Sequence, residues 1–432
     1  MQVLFILQDG TLHMSEDKKK ILLIGDHPLA PSGVGSQLKY ICETLLGTGK
    51  YKFLCLGGAI KHDNYEPQSI TGDDWDDGDW MVFPVDGYGT EEMIRSIVWT
   101  EKPDVLLFMT DPRFYGWLWQ IENEIRPLIP MVYYHVWDNY PAPHYNKPWY
   151  ESTDVIASIS KVTYNVVNEV SPSTENHYVP HAVNDEIFKP LPEEEVSKFK
   201  EESLPPSDSK SEKVVFFWNN RNARRKQSGT LAMWFSEFAE EVGPDNVCLI
   251  MHTDPKDPHG QDLERILHDH KFDDGRVMLS RNKVAPNHLA MMYNMADAEG
   301  FGLGTLESLS CGTPIIVNMT GGLQEQVTDG EEWFGIGLEP SSKSIIGSQD
   351  VPYIYEDRIN GEEFKAALRK IYEMSKEERK ELGKKGIKHV RKNYNFKNFE
   401  DSWIKIMEHV VEDLGSWDTR KGYKAWEMKE IA

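Results

Sequence analysis

Short apolar runs followed by amphipathic stretches recur along the chain from residue 19 onward. KKILLIGDHP is an apolar run that ends in a turn, as a buried parallel strand does. PSGVG follows. In the next stretch, SQLKYICETLLG, Leu38, Ile41, Leu45 and Leu46 share one helical face and Gly47 stops the helix. FLCLGG, VLLFMT and MVYYHVW repeat the strand signal at intervals that suit βαβ units, and VIASIS and HYVPHAV continue it. Residues 190–213 change character. They are polar, charged and proline-bearing, which predicts a linker around a short helix. VVFFWNN and NVCLIMH open a second series, which runs through GTPIIVN and closes in ERKELGKKGIKHVRK and FEDSWIKIMEHVVEDL, both with helical periodicity.

The pattern predicts an α/β protein of two doubly wound, Rossmann-like domains facing a cleft, which is the default ligand site. The expected divisions are an N-terminal extension (1–18), a first domain (19–189), the linker (190–213), a second domain (214–405) and a C-terminal helical segment (406–432) able to pack back on the first domain. Met14, which opens MSEDKKKILLIG, is a more natural start than Met1.

Length supports two domains, because 432 residues exceed the roughly 250–300 at which single cores stop growing. A formal net charge of −23 disfavours a sequence-independent grip on nucleic acid, which needs a basic face. Cys42, Cys55, Cys248 and Cys311 form no C-x-x-C pair and lie in or after apolar runs, so they read as buried free thiols of a reducing, cytoplasmic compartment. No apolar run approaches the roughly 18 residues of a membrane helix, and MQVLFIL lacks the basic flank of a signal peptide.

The chemistry concentrates in AEGFGLGTLESLSCGTPIIV, residues 298–317. Glu299 and Glu307 stand eight apart and bracket Gly300, Gly302 and Gly304, after which a short helix is expected. Glycines let backbone N–H groups approach a ligand, and a helix N-terminus favours anions. The segment can therefore hold a diphosphate on amides while carboxylates reach sugar hydroxyls. Taken alone, it reads better as a connecting loop with solvated glutamates. A second feature shifts the balance. NNRNARRKQSG follows the VVFFW strand, and places Arg221, Arg224, Arg225 and Lys226 at a strand's C-terminal end in a strongly acidic chain. Such charges suit a diphosphate whose negative charge grows as it leaves. Gly33 and Gly35 of PSGVG permit a tight strand-to-helix turn near a ligand, although this stretch alone reads better as a plain turn. The dinucleotide fingerprint is not present, because Leu38 stands at its third glycine.

Together these motifs resemble those of the family 4 retaining glycosyltransferases of the GT-B architecture (glycosyltransferase group 1). Glu299 to Glu307 resembles the family's E-x7-E signature around its GFGL loop. Cys311-Gly312-Thr313-Pro314 and Gly321-Gly322-Leu323-Gln324-Glu325 resemble its C-G-T-P turn and GG-x-x-E loop. Arg221 and Lys226 look like its Arg–Lys pair, Gly33 and Gly35 like its early glycine loop, and His135 like its first-domain histidine. PHAVNDEIFKP, residues 180–190, is similar to its interdomain segment. The likeness covers most of residues 19–415.

The resemblance implies metal-independent transfer of a hexose or pentose, with retention, from a nucleotide-diphosphate sugar and with no cofactor. It implies that Arg221, Lys226 and the amides of Gly302 and Leu303 stabilise the departing diphosphate. Glu299 would hold sugar hydroxyls, Glu307 the ribose, and His135 would contact the sugar. The acceptor stays open among glycan, lipid-linked glycan, protein and modified nucleobase.

Three departures from the family pattern stand out. Tyr293-Asn294-Met295-Ala296-Asp297, which matches the family's Y-x-x-A-D helix end, runs almost directly into Ala298-Glu299, so about one strand is missing there. His181-Ala182 replaces the usual Asn-Gly, and residues 335–360 read as an insertion.

Other constellations weigh less. Asp74-x-Asp76 could hold a metal as in GT-A enzymes, but such a pair is cheap in an acidic turn. His252 reads equally as a pocket residue or as a satisfied strand-end histidine. Among Trp137, Tyr140 and Trp149, only Trp137 is expected to meet an acceptor. Rival functions are a nucleotide-sugar epimerase, a nucleotide-sugar binder that has lost turnover, and a hydrolase using Glu299 and Glu307, which would leave the basic loop without a task.

Overall fold

The computed structural model describes residues 18–204, 213–280, 293–294 and 299–423. By their contacts these residues form two compact units. The first comprises 18–134, 149–156 and 400–423, and the second comprises 135–148 and 157–399 where described.

The first unit is built on the strands β1 (Lys19–Asp26), β2 (Tyr51–Gly58), β3 (Gln68–Ser69), β4 (Trp80–Pro84), β5 (Val105–Thr110), β6 (Met131–His135) and β7 (Val155–Ser158), in the spatial order β3-β4-β2-β1-β5-β6-β7. The pairings β1–β2, β1–β5 and β2–β4 are parallel. Ile21–Ile24 and Val105–Met109 are fully buried, as continuous apolar runs in a sheet covered on both faces should be. The helix Gly33–Leu46 starts where Ser32 caps it, with its hydroxyl accepting from the Gly35 amide at 3.0 Å. It buries Leu38, Ile41, Leu45 and Leu46 and ends at Gly47, as the apolar stripe requires. Residues 400–423 close this unit. Trp403 packs edge-on to Tyr134, and Trp417 donates its backbone N–H to the Leu128 carbonyl at 2.6 Å.

The second unit takes in β8 (Glu175–Tyr178), then β9 (Val214–Asn219), β10 (Val247–His252) and β11 (Val277–Ser280), which form a parallel sheet ordered β11-β10-β9. A second parallel sheet is ordered β12 (Tyr293–Asn294), β13 (Ile315–Asn318), β14 (Gly335–Leu338). Its core joins Phe216, Trp218, Phe235, Phe238, Leu249 and Met251 with Phe364 and Leu368. Within residues 190–213, a helix spans Glu193–Ser203. The inserted stretch contains β14 and an antiparallel hairpin, β15 (Ser342–Ile346) and β16 (Ile354–Arg358).

Tyr293–Asn294, expected to end a helix, instead pairs with Ile316–Val317 as a short strand. Residues 281–292 and 295–298, where the shortening before Glu299 was expected, lie outside the described residues, as does the extension before Lys18. Cys42, Cys55 and Cys248 are buried, Cys311 is partly so, and all are free thiols.

Candidate active site

The basic loop is folded by neutral side chains, and this turns one of its cations inward. Asn222 is fully buried. Its amide accepts from the Ser228 hydroxyl at 2.6 Å and donates to the Gln261 carbonyl at 2.6 Å. This frame holds a single 3-10 turn over Arg224–Lys226, followed by Gln227 in the left-handed region at φ 49°. Lys226 emerges 5% exposed, and its ammonium contacts the Glu299 carboxylate. Arg225 reaches the same oxygen at 3.6 Å. Burial pushes the Lys226 pKa down, while Glu299 and then Asp138 hold it up.

Arg221 points elsewhere. It forms a forked pair with Asp257, closest at 2.6 Å, and meets the His259 ring at 2.8 Å. That pair borders a cavity of about 540 Å³ lined by Asn219, Asn220, Arg221, His252, Thr253 and Ser280, at the C-terminal ends of β9, β10 and β11. Parallel sheets bind ligands at that edge. His252 therefore lines a pocket, and it also shares a 3.1 Å hydrogen bond with Ser280.

The glycine loop is anchored by its one large side chain. Phe301 is 3% exposed and stacks edge-on against His181 at 4.8 Å and Tyr394 at 5.8 Å. The substitution of His181 for Asn thus supplies a wall for the loop. Gln326 bonds the Phe301 carbonyl at 2.6 Å, and Thr305 bonds Gly302 and Gln326, both at 2.7 Å. Gly302, at φ +92°, occupies the left-handed region that opens the helix Leu303–Ser310. Gly321 comes so close to the Glu299 carbonyl that a Cβ there would lie 1.7 Å from it, and the Gly322 amide donates to that carbonyl at 3.1 Å. Glu325 orders this second loop from within. It accepts from the Lys161 amide and the Tyr178 hydroxyl, each at 2.6 Å.

The segment after β6 meets the same loop. A Cβ on Gly300 would stand 3.0 Å from the Val136 carbonyl and 3.8 Å from Asp138 Cβ. His135, at the end of β6, is fully buried, and burial holds its pKa down at about 3, so its ring is neutral. Trp137, expected to meet an acceptor, is instead 5% exposed, with its indole N–H bonded to the Asn139 carbonyl at 2.7 Å; it is a core residue. Glu307 is half-buried on the helix Leu303–Ser310. Burial alone pushes its carboxyl up to about 7.

The fold thus brings Lys226 and Glu299 into contact, beside the loop of Gly302 and Leu303 and the segment that follows His135. Arg221 sits apart from Glu299, on the cavity with Asp257. Gly33 and Gly35 belong to the first unit, where a Cβ on Gly35 would meet the His27 and Ala30 carbonyls at 2.8 and 2.9 Å. Asp138 and Asp257, the acidic neighbours of these cations, carry no sequence signal. Asp76 is paired with Lys18 at 2.8 Å, and no group of three or more potential metal ligands occurs among the described residues. No helix among those residues is long and apolar enough to cross a membrane.

Comparison with known proteins points the same way. Residues 284–389 match the family model of the glycosyl transferases group 1. N-acetyl-alpha-D-glucosaminyl L-malate synthase of Bacillus anthracis is 24% identical over 234 residues, which are 53% of this chain and 58% of that protein. Among solved structures, sucrose-phosphate synthase from Thermosynechococcus elongatus matches with a TM-score of 0.70 at 16% identity, covering 92% of this chain and all of that one. An Anabaena protein solved with UDP-glucose matches with a TM-score of 0.64 at 12% identity, over 90% of this chain and 99% of its own. The catalytic domain of starch synthase IV from Arabidopsis thaliana, bound to ADP and acarbose, matches at 0.61 and 11%, over 91% and 99%. The fold is GT-B, residues 284–389 are similar to the group 1 glycosyl transferases, and the matches agree on one class of chemistry, glycosyl transfer.

Proposed function

We propose that this protein moves a sugar from a nucleoside diphosphate sugar to an acceptor hydroxyl or amine, with retention and without a metal. The observation that carries the reading is the Lys226–Glu299 pair at the head of the glycine loop. It places a buried cation, a carboxylate and a helix N-terminus together, as a sugar diphosphate requires.

In this reading the bond between the anomeric carbon and the diphosphate oxygen breaks as the acceptor atom bonds to that carbon. The acceptor's proton passes to the leaving phosphate. Lys226 and the amides of Gly302 and Leu303 take up the charge that grows on the diphosphate. Glu299 holds sugar hydroxyls, and neutral His135, which is fully buried, lies behind the segment Val136–Asp138 that meets the glycine loop. Glu307 binds the ribose, and Arg221 lies beside the nucleotide in the polar cavity.

Structural neighbours solved with UDP, UDP-glucose or ADP make uridine and adenosine diphosphate sugars the first donors to test. A thermal-shift screen of nucleotide sugars tests the donor site directly. Donor consumption with and without glycan, lipid-linked glycan, protein and modified-nucleobase acceptors then separates transfer from epimerisation and from binding without turnover. Stabilisation by no nucleotide or nucleotide sugar would overturn the reading.

A further inference from the structure

The first unit has a ligand edge of its own. In its sheet β1 stands between β2 and β5, so the chain's connections diverge between β1 and β5. Parallel sheets bind ligands outside the C-terminal ends of the strands at such a point. Tyr88 covers it. Its hydroxyl donates to Asp26, the last residue of β1, at 3.0 Å, and lies 3.4 Å from the Thr110 hydroxyl at the end of β5. Ser32 donates to the other Asp26 oxygen at 2.7 Å.

Around Tyr88 the surface is apolar and aromatic. Phe114, in the turn after β5, packs on Tyr88 with ring centres 5.3 Å apart. Tyr65, in the segment after β2, packs edge-on to His62 at 5.5 Å. Its hydroxyl donates at 2.6 Å to Asp86, two residues before Tyr88. Leu29, Tyr65 and Phe114 are each about half exposed, and Ile60 is more than a third exposed. Nine large apolar side chains are exposed among the described residues, and these four follow the ends of three adjacent strands, β2, β1 and β5. Single exposed apolar groups are ordinary, whereas a cluster of them at a ligand edge marks a binding surface.

The charges at this edge exclude an anion. Asp26, Asp63, Asp86 and Asp111 outnumber Lys61 and Arg113. Arg113 is already forked onto Asp111, with both contacts at 2.9 Å. Among the described residues, the carboxylates of Asp26 and Asp86 pair with no lysine or arginine and accept from the hydroxyls of Ser32, Tyr88 and Tyr65. Phosphate is bound by available cations. A sugar instead offers C–H faces to aromatic rings and hydroxyl donors to carboxylates.

We propose that this edge is the acceptor site, and that the acceptor is an uncharged carbohydrate, a sugar or glycan without phosphate, packed on Phe114 and Tyr65 with hydroxyls donating to Asp86. This rests on the transfer reading above and names its acceptor. A hydroxyl oxygen of the carbohydrate bonds to the anomeric carbon as the diphosphate leaves, and the hydroxyl's proton goes to the leaving phosphate. Sugar phosphates and nucleic acids are repelled by the carboxylates of this edge.

The test is transfer by the full chain from its best nucleotide sugar to glucose, mannose, galactose and their short oligosaccharides, to the phosphomonoesters of the same sugars, and to a single-stranded DNA oligonucleotide. At least one neutral sugar is expected to exceed its phosphomonoester in kcat/KM by about tenfold or more, and the oligonucleotide to accept nothing. Phe114→Ala and Tyr65→Ala are each expected to raise KM for that acceptor about threefold to tenfold, and Phe114→Trp to restore it. Nucleoside diphosphate should bind parent and variants within about twofold by calorimetry, which also reports that the variants are folded. Preference for a phosphomonoester or for the oligonucleotide would overturn the proposal, as would an unchanged acceptor KM in both alanine variants. A parent that binds nucleotide sugar and transfers to none of the neutral sugars would overturn this proposal alone. A parent that binds neither nucleoside diphosphate nor nucleotide sugar would overturn the donor reading itself.

Discussion

Replacing Glu299 by Gln keeps its shape and removes the charge that faces Lys226. The Lys226 side chain is 6% exposed and that of Glu299 15%. Removing one member of a buried pair typically costs about 3–5 kcal/mol, because the other charge stays desolvated. Two features place this pair at or below the lower end: Asp138 also favours the Lys226 charge, and Glu299 is not fully sealed. We expect Glu299→Gln to lose about 2–3 kcal/mol of stability. Lys226→Met should lose less, since Arg225 stays 3.6 Å from the carboxylate. Burial already outweighs the pair in setting the Lys226 pKa, so the double variant should recover at least about 1 kcal/mol over the sum of the singles.

The pH dependence has a definite sign. Lys226 is depressed below 10.5 in the folded protein, so in the window between its folded value and 10.5 the unfolded chain binds more protons. Stability from this group therefore rises with pH across that window. In Glu299→Gln the window should open at lower pH, because a raising influence is gone. Urea unfolding of the four proteins from pH 6 to 10 measures both effects. Single-variant losses that add to the double within about 0.5 kcal/mol would refute the coupling.

Glu307, held near pKa 7 against an ordinary 4.5, keeps a proton that the unfolded chain gives up, so its contribution is complete below about 4.5 and lost as pH rises through 7. Glu307→Gln should gain melting temperature over the parent above pH 7 and lose that advantage at pH 5; a gap that does not change with pH would count against the burial. In turnover, Glu299→Gln should lower kcat with modest change in KM, whereas Glu307→Gln should mainly raise KM for the donor, as contacts to sugar and ribose differ in when they tighten. Near-parent kinetics in both would mean that the two glutamates are bystanders. Arg221→Ala should weaken nucleoside diphosphate about tenfold or more and nucleoside little, the scale of one charge-assisted contact; equal losses by calorimetry would remove it from the diphosphate site. Transfer should survive EDTA, and its abolition together with loss in Asp74→Asn would revive a metal-dependent reading.

The apolar runs at Ile21–Ile24, Val105–Met109 and Val247–Met251 determined their strands without help. A segment covered on both faces must be apolar throughout, and that pattern is local. The stripe of Leu38, Ile41, Leu45 and Leu46, with Ser32 before it and Gly47 after it, likewise determined its helix. The glycine loop was legible because left-handed backbone at Gly302 and the close approach at Gly321 each demand a missing side chain. What the sequence did not carry is direction. Arg221 and Lys226 look alike in sequence, yet the Asn222 frame turns one inward onto Glu299, while Asp257 draws the other to the cavity. Trp137 looked like a binding aromatic until packing enclosed it. Glu356 stood in an unexplained insertion until the hairpin laid it against Arg224. Which way a polar side chain faces, and whether its burial leaves it a partner, depends on segments distant in sequence meeting at one point. Only the tertiary structure decides that, because desolvation and hydrogen bonding act through space rather than along the chain.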